Sequence, residues 1–178
     1  IFALQRETPE SIKTRFFCRD NSTLTGVNPD SGKAVMLTGH FGNWELGAIA
    51  AAFFFNREIT VLYKKQSNRY ISEWMVRIRQ RFGNKTVALG VSVRDIYKVI
   101  KEEGIIGIVG DQRGPREAVK VDFMGIPTSV YTGTAEIALK TNTPVYMIFT
   151  IRQEDYRYEF HMKKLEYEML NGTFNEKA

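Results

Sequence analysis

Residues 34–55 read AVMLTGHFGNWELGAIAAAFFF, and this stretch decides the fold class. The run AVMLTG (34–39) has the length and apolar character of a short buried strand. From Asn43 to Phe55 the chain is apolar almost throughout and reads as a mostly buried helix. Between the two stand one of the chain's two histidines, His40, and a glutamate five residues later, Glu45, with Gly39 and Gly42 permitting a tight turn.

The same alternation continues outward. EITVLY (58–63) is a second strand. From Asn68 to Phe82, Ile71, Trp74, Met75, Ile78 and Phe82 recur at helical spacing, with Gly83 as a stop. KTVAL (85–89) reads as a strand, VRDIYKVIKEEG (93–104) as a helix closed by Gly104, and IIGIVG (105–110) as a strand. The loop DQRGPREA (111–118) leads to a strand, VKVDFMG (119–125). Helix GTAEIALKTN (133–142), strand PVYMIFTIR (144–152) and a polar-alternating strand, YRYEFHMKK (156–164), follow. Near the start, Pro9–Cys18 suggests a short helix, and 21–33 is rich in turn formers. Strands alternating with helices imply an α/β fold: a mixed, largely parallel central sheet flanked by helices. In such sheets sites gather at the carboxyl ends of strands, and His40 and Asp111 each fall just beyond one.

A chain of 178 residues fits one domain with a substantial core. The longest apolar run, Leu46–Phe55, is well short of the roughly 20 residues a membrane-spanning helix needs. The single cysteine, Cys18, excludes an internal disulfide framework and a cysteine-rich zinc site, and fits a reducing compartment. A net charge of +5 favours anionic partners: an acidic carrier protein, a phosphorylated substrate, a lipid surface or nucleic acid.

In a continuous helix His40 and Glu45 would face different directions, but a strand-to-helix turn folds one back toward the other. Glu45 would then accept a hydrogen bond from one ring nitrogen and leave the other as a general base. The backbone N–H groups at the helix start suit a developing oxyanion. Spacing alone leaves a blander alternative open. Glutamate is favoured in a first helical turn, and a histidine near a strand end can simply satisfy a carbonyl.

The wording TGHFGNWELG resembles the histidine–four–acid motif of the lysophospholipid acyltransferase superfamily, and more narrowly that of the bacterial lipid A biosynthesis acyltransferases. By that resemblance His40 is the base that deprotonates an acceptor hydroxyl, and Glu45 is the acid that orients it. YKKQSNRYISEWMVRIRQRFGNK (63–85) resembles the family's second block. Lys64, Lys65, Asn68 and Arg69 are placed to meet phosphate, with Arg69 implied as the substrate-binding arginine. Arg77, Arg79 and Arg81 read as a solvated helix face. GIVGDQRGPREAVKVDFMGIPTSVYTGTAEIALKTNTPV (107–145) resembles the third and fourth blocks. Asp111 matches the loop acid after the fourth strand, able to orient His40 or an arginine, or to hold the acceptor. Gln112 is placed to line the site, and Arg113 is either a phosphate contact or a solvated loop residue. Gly42 and Asn43, in the motif turn, are candidates to face substrate through backbone amides.

The resemblance covers about residues 31–163 and implies a glycerol-phosphate acyltransferase-like fold. It implies O-acyl transfer from an acyl carrier protein or acyl-coenzyme A thioester to a hydroxyl of a lipid A precursor or related glycolipid. Neither a metal nor a cofactor is expected, and no acyl-enzyme is required, because the motif holds no serine or cysteine nucleophile. A phosphorylated glycolipid acceptor, peripheral membrane contact and the cytoplasmic face of the bacterial inner membrane go with this reading. The small residues of LGAIAAAFFF leave room for an acyl chain or reflect plain core packing. Residues 1–178 are expected to be one catalytic core, without the family's N-terminal membrane anchor and C-terminal segment. Two alternatives stand beside this. One is acylation of a lysophospholipid or another glycolipid, disfavoured for glycerol phosphate because Asp-Gln replaces the EGTR-type block. The other is a basic nucleic-acid-binding or inactive membrane-associated module, but Trp74 and Phe82 fall on the apolar stripe rather than among the bases. His161, on an alternating strand, reads as a surface residue.

Overall fold

In a computed structural model of the chain, which describes residues 6–18, 32–90 and 93–166, strands and helices alternate as expected. The helices are α1 (Pro9–Arg15), α2 (Trp44–Phe55), α3 (Arg69–Gln80), α4 (Val93–Lys101) and α5 (Gly133–Thr141). The strands are β1 (Phe16–Phe17), β2 (Ala34–Thr38), β3 (Ile59–Tyr63), β4 (Lys85–Ala88) and β5 (Ile105–Val109). They continue with β6 (Lys120–Phe123), β7 (Ile126–Ser129), β8 (Val145–Arg152) and β9 (Tyr158–Lys164). One sheet has the order β1-β9-β8-β2-β5-β3-β4, and β6 and β7 form a separate pair. β2, β3, β4, β5 and β8 run parallel to one another, while β9 is antiparallel to β8. This is the mixed, largely parallel α/β sheet that the sequence implied.

β2 reads as an unbroken apolar run because both its faces are covered. Successive side chains point to opposite faces. Ala34 and Met36 join a core built with Ile12, Leu46, Ile49 and Ile78, from α1, α2 and α3. Val35 joins a second core with Ile100 of α4 and with Ile137 and Ala138 of α5, and Leu37 packs against it. Trp74 and Phe82 pack against the first core, as their stripe required.

Two local readings are corrected. The strand expected at 119–125 breaks at Met124 (φ 54°) and Gly125 (φ 79°), whose left-handed conformations turn the chain into the β6–β7 hairpin, outside the main sheet. The helix expected over Pro9–Cys18 stops at Arg15, and Phe16–Phe17 instead add an edge strand beside β9. Of the turn-rich stretch at 21–33, residues 21–31 lie outside those described.

What positions the site is register. Thr38 of β2 pairs with Val109 of β5, and the Gly110 N–H donates to the Thr38 carbonyl at 2.9 Å. Residues 40 and 111 stand two beyond each partner, so 71 residues of sequence separation close to adjacency at the carboxyl edge.

Candidate active site

The turn between β2 and α2 is clamped from below. Gly42 has φ +59°, and a Cβ there would lie 2.5 Å from the Thr150 carbonyl oxygen of β8. Glycine alone meets both demands. The Asn43 side chain accepts from the Leu46 N–H at 3.3 Å, capping α2, and its Nδ2 donates to the Tyr158 hydroxyl at 3.4 Å. Gly47 lets α2 press onto β8, since a Cβ there would lie 2.6 Å from Thr150 Cγ2.

On this turn the His40 backbone N–H donates to Asp111 Oδ2 at 2.6 Å, and His40 Nδ1 meets Asp111 Oδ1 at 2.7 Å. One carboxylate therefore holds both the backbone and the ring. Gly39 makes this close approach possible, because a Cβ there would be 3.0 Å from Asp111 Oδ2. An ionised carboxylate only accepts, so Nδ1 carries the proton and the neutral ring keeps its lone pair on Nε2. Partial burial pushes the Asp111 carboxyl upward, but the side-chain and backbone hydrogen bonds from His40 outweigh that. The net result lies below the ordinary 3.8. Trp44 meets the imidazole edge-on at 5.0 Å between ring centroids, fixing the plane of the ring.

Glu45 does not take the ring nitrogen, contrary to expectation. Its carboxylate forms a bidentate pair with Arg79 of α3, with Nε donating to Oε2 at 3.0 Å and Nη2 to Oε1. The two side chains are only 12% and 10% exposed, so this is a buried ion pair. The Arg79 guanidinium also lies 6.0 Å from the Trp44 ring centroid. The physical reason for the difference is that Glu45 is already the second residue of α2 and faces α3, while the ring is met from the other side by the loop after β5. Arg79, read from the sequence as solvated, is buried. Its signal was present: Ile71, Met75 and Arg79 follow at intervals of four along α3, so Arg79 continues the apolar stripe.

His40, Trp44, Glu45, Lys64, Arg79 and Gln112 all line one cavity of about 280 Å³. It thus brings together His40, Glu45, Lys64 and Gln112 of the expected site residues, with Asp111 bound to His40 beside it. Arg69 lies apart, in an adjoining groove with Lys65, Ser67 and Arg77, and pairs with Glu73 at 2.6 Å. Asn68 caps α3 by accepting from the Ile71 N–H at 3.1 Å, and Arg113 forms a β-bridge with Val130. A second, apolar cavity of about 50 Å³ lies between α2 and the sheet, and Trp44, Ile108 and Val109 line both spaces. The Thr150 hydroxyl, buried at this second cavity, has no hydrogen-bond partner among the described residues. Among the described residues no cluster of His, Cys, Asp and Glu is arranged to hold a metal ion. His161 is half exposed, with Nε2 3.7 Å from Glu159.

The arrangement suits proton abstraction. It offers a base with one fixed nitrogen, a positioned carboxylate behind it, backbone N–H groups at a helix start and a cation, Lys64, at the cavity wall. Compared with known proteins, residues 1–167 match the family model described as bacterial lipid A biosynthesis acyltransferase. No curated protein matches the chain.

Proposed function

The chain belongs to the bacterial lipid A biosynthesis acyltransferase family, and from that premise we propose that it moves a fatty acyl chain from an acyl thioester to a hydroxyl of a lipid A precursor or related glycolipid. The observation that carries the reading is the double contact of Asp111 with His40, which leaves Nε2 as the ring's proton acceptor at the cavity.

In the proposed reaction the acceptor hydroxyl gives its proton to His40 Nε2 as its oxygen attacks the thioester carbonyl. Asp111 holds Nδ1–H and stabilises the imidazolium that forms. The tetrahedral oxyanion is met by backbone N–H groups at the start of α2, each donor worth about 3 kcal/mol. Collapse expels the thiolate, which takes the proton back from His40. Glu45 and Arg79 act as a pair that fixes α2 against α3 at the cavity wall, a positioning role in place of the direct contact expected for Glu45. Lys64 and Gln112 meet the phosphorylated acceptor. The apolar cavity beside Trp44 takes the start of the acyl chain, a use that its lining by Met36, Ala48, Ala51 and Ile148 supports.

The net charge of +5 supports an acidic acyl carrier protein or acyl-coenzyme A as donor, and a phosphorylated acceptor met at the cytoplasmic face of the bacterial inner membrane. The 178 residues act as one catalytic core in this reading.

The test is transfer of a labelled acyl group from carrier-protein thioester to a lipid A precursor. His40→Ala and Asp111→Asn are each expected to lower kcat by about 10²–10⁴-fold. Undiminished transfer by His40→Ala would remove the proposed base.

A further inference from the structure

Every large apolar side chain that is exposed among the described residues lies at one edge of the sheet. Phe41 follows β2, Tyr70 and Ile71 follow β3, Leu89 follows β4, and Ile151 and Tyr156 end and follow β8. The rest lie in the long excursion after β5. These five strands are parallel, so all these segments leave from the carboxyl edge that carries His40. The turns at the opposite edge are different: 56–58, 101–104 and 142–144 carry no large apolar residue, and the Phe82 of 81–84 packs against the core.

The β6–β7 hairpin is the most exposed part of this edge. Val121 pairs with Thr128 and Phe123 with Ile126, so these four share one face, with Met124 at the tip. Lys120, Asp122, Pro127 and Ser129 share the other. Phe123, Ile126 and Met124 are 62%, 66% and 88% exposed, an apolar hairpin face left uncovered. The hairpin is tied to the site, since the Gly114 N–H donates to the Ser129 carbonyl at 2.9 Å, three residues after Asp111. Lys64, Lys65, Arg113, Arg116 and Lys120 stand on the same segments and make no ion pair with any acid among the described residues.

We propose that this edge is a docking surface for an anionic lipid bilayer, with the apolar face of the β6–β7 hairpin inserted at the headgroup level. Apolar side chains that enter the acyl boundary, interspersed with cations that meet anionic headgroups, are the chemistry of an interfacial surface. No helix among the described residues is long and apolar enough to cross a membrane. The choice of lipid over a second copy of the chain rests on the proposed reading, in which a membrane-borne acceptor must reach His40 from this edge.

The experiment is flotation of the full chain with vesicles of phosphatidylethanolamine and phosphatidylglycerol, against vesicles of phosphatidylcholine alone. The anionic vesicles should bind it, and binding should weaken as salt rises. The triple variant Phe123→Ser, Met124→Ser, Ile126→Ser should bind at least about tenfold less while its thermal unfolding is retained. Should that variant misfold, the tip substitution Met124→Glu carries the same expectation. Acyl transfer in detergent micelles should be unchanged in either variant, and transfer to vesicle-borne acceptor should fall. A chain that stays with the soluble fraction, a variant that floats as well as the parent, or a dimer that the hairpin variant dissociates would overturn the proposal. If no acceptor is acylated by the parent chain, the enzymatic reading fails while flotation still decides this one.

Discussion

His40 has two contacts with one carboxylate, and the consequence is measurable in stability as well as in catalysis. Asp111 titrates below its ordinary value because the hydrogen bonds from His40 outweigh the burial that pushes the other way. A depressed carboxylate contributes stability that is fully present above its unfolded value, about 3.9, and lost as pH falls through the lower folded value. The advantage of the parent chain over Asp111→Asn in thermal unfolding should therefore shrink as pH is lowered from about 5 toward 3. A gap that stays constant across that window would mean the contact does not form in solution. His40 stood out because the motif around it resembles the family's, and Asp111 because it falls beyond a strand end. The partner of the imidazole was legible only as one alternative, since Asp111 stood as able to orient His40 or an arginine. Spacing within the turn made Glu45 the nearer candidate, and only the pairing of β2 with β5 shows which acid arrives.

At the scale of elements, α2 and α3 are joined by the Glu45–Arg79 pair, whose members are nearly buried. Removing one member of such a pair leaves an uncompensated buried charge, at a cost of about 3–5 kcal/mol. Replacing both with apolar residues of similar size is far milder. Arg79→Ala should thus destabilise strongly, and the double variant Glu45→Leu, Arg79→Met should recover most of the loss in denaturant unfolding. Additive effects of Glu45→Leu and Arg79→Met would show that the pair is not coupled. The helices and strands themselves were largely readable, because covered strands are continuous in their apolar character and α3 keeps a helical period. The β6–β7 hairpin was not. Its turn depends on Met124 accepting a left-handed conformation before Gly125, and no common turn dipeptide announces that.

For the whole molecule, the order β8-β2-β5-β3 is what turns two loops distant in sequence into one site, and sequence patterning does not fix strand order. Periodicity says which segments are strands and which faces are covered, but neighbours in a parallel sheet are set by long-range packing. The same arrangement gathers the exposed apolar residues at the edge that holds His40. The proposed chemistry depends on β5 delivering Asp111, rather than α2 delivering Glu45, to the imidazole. With two histidines in the chain, ¹⁵N NMR of the labelled side chains resolves His40 once His161 is replaced by glutamine. Asp111 as the partner predicts that the ring in its neutral form carries its proton on Nδ1, a tautomer preference lost in Asp111→Asn and kept in Glu45→Gln. A preference that survives Asp111→Asn but disappears in Glu45→Gln would contradict it.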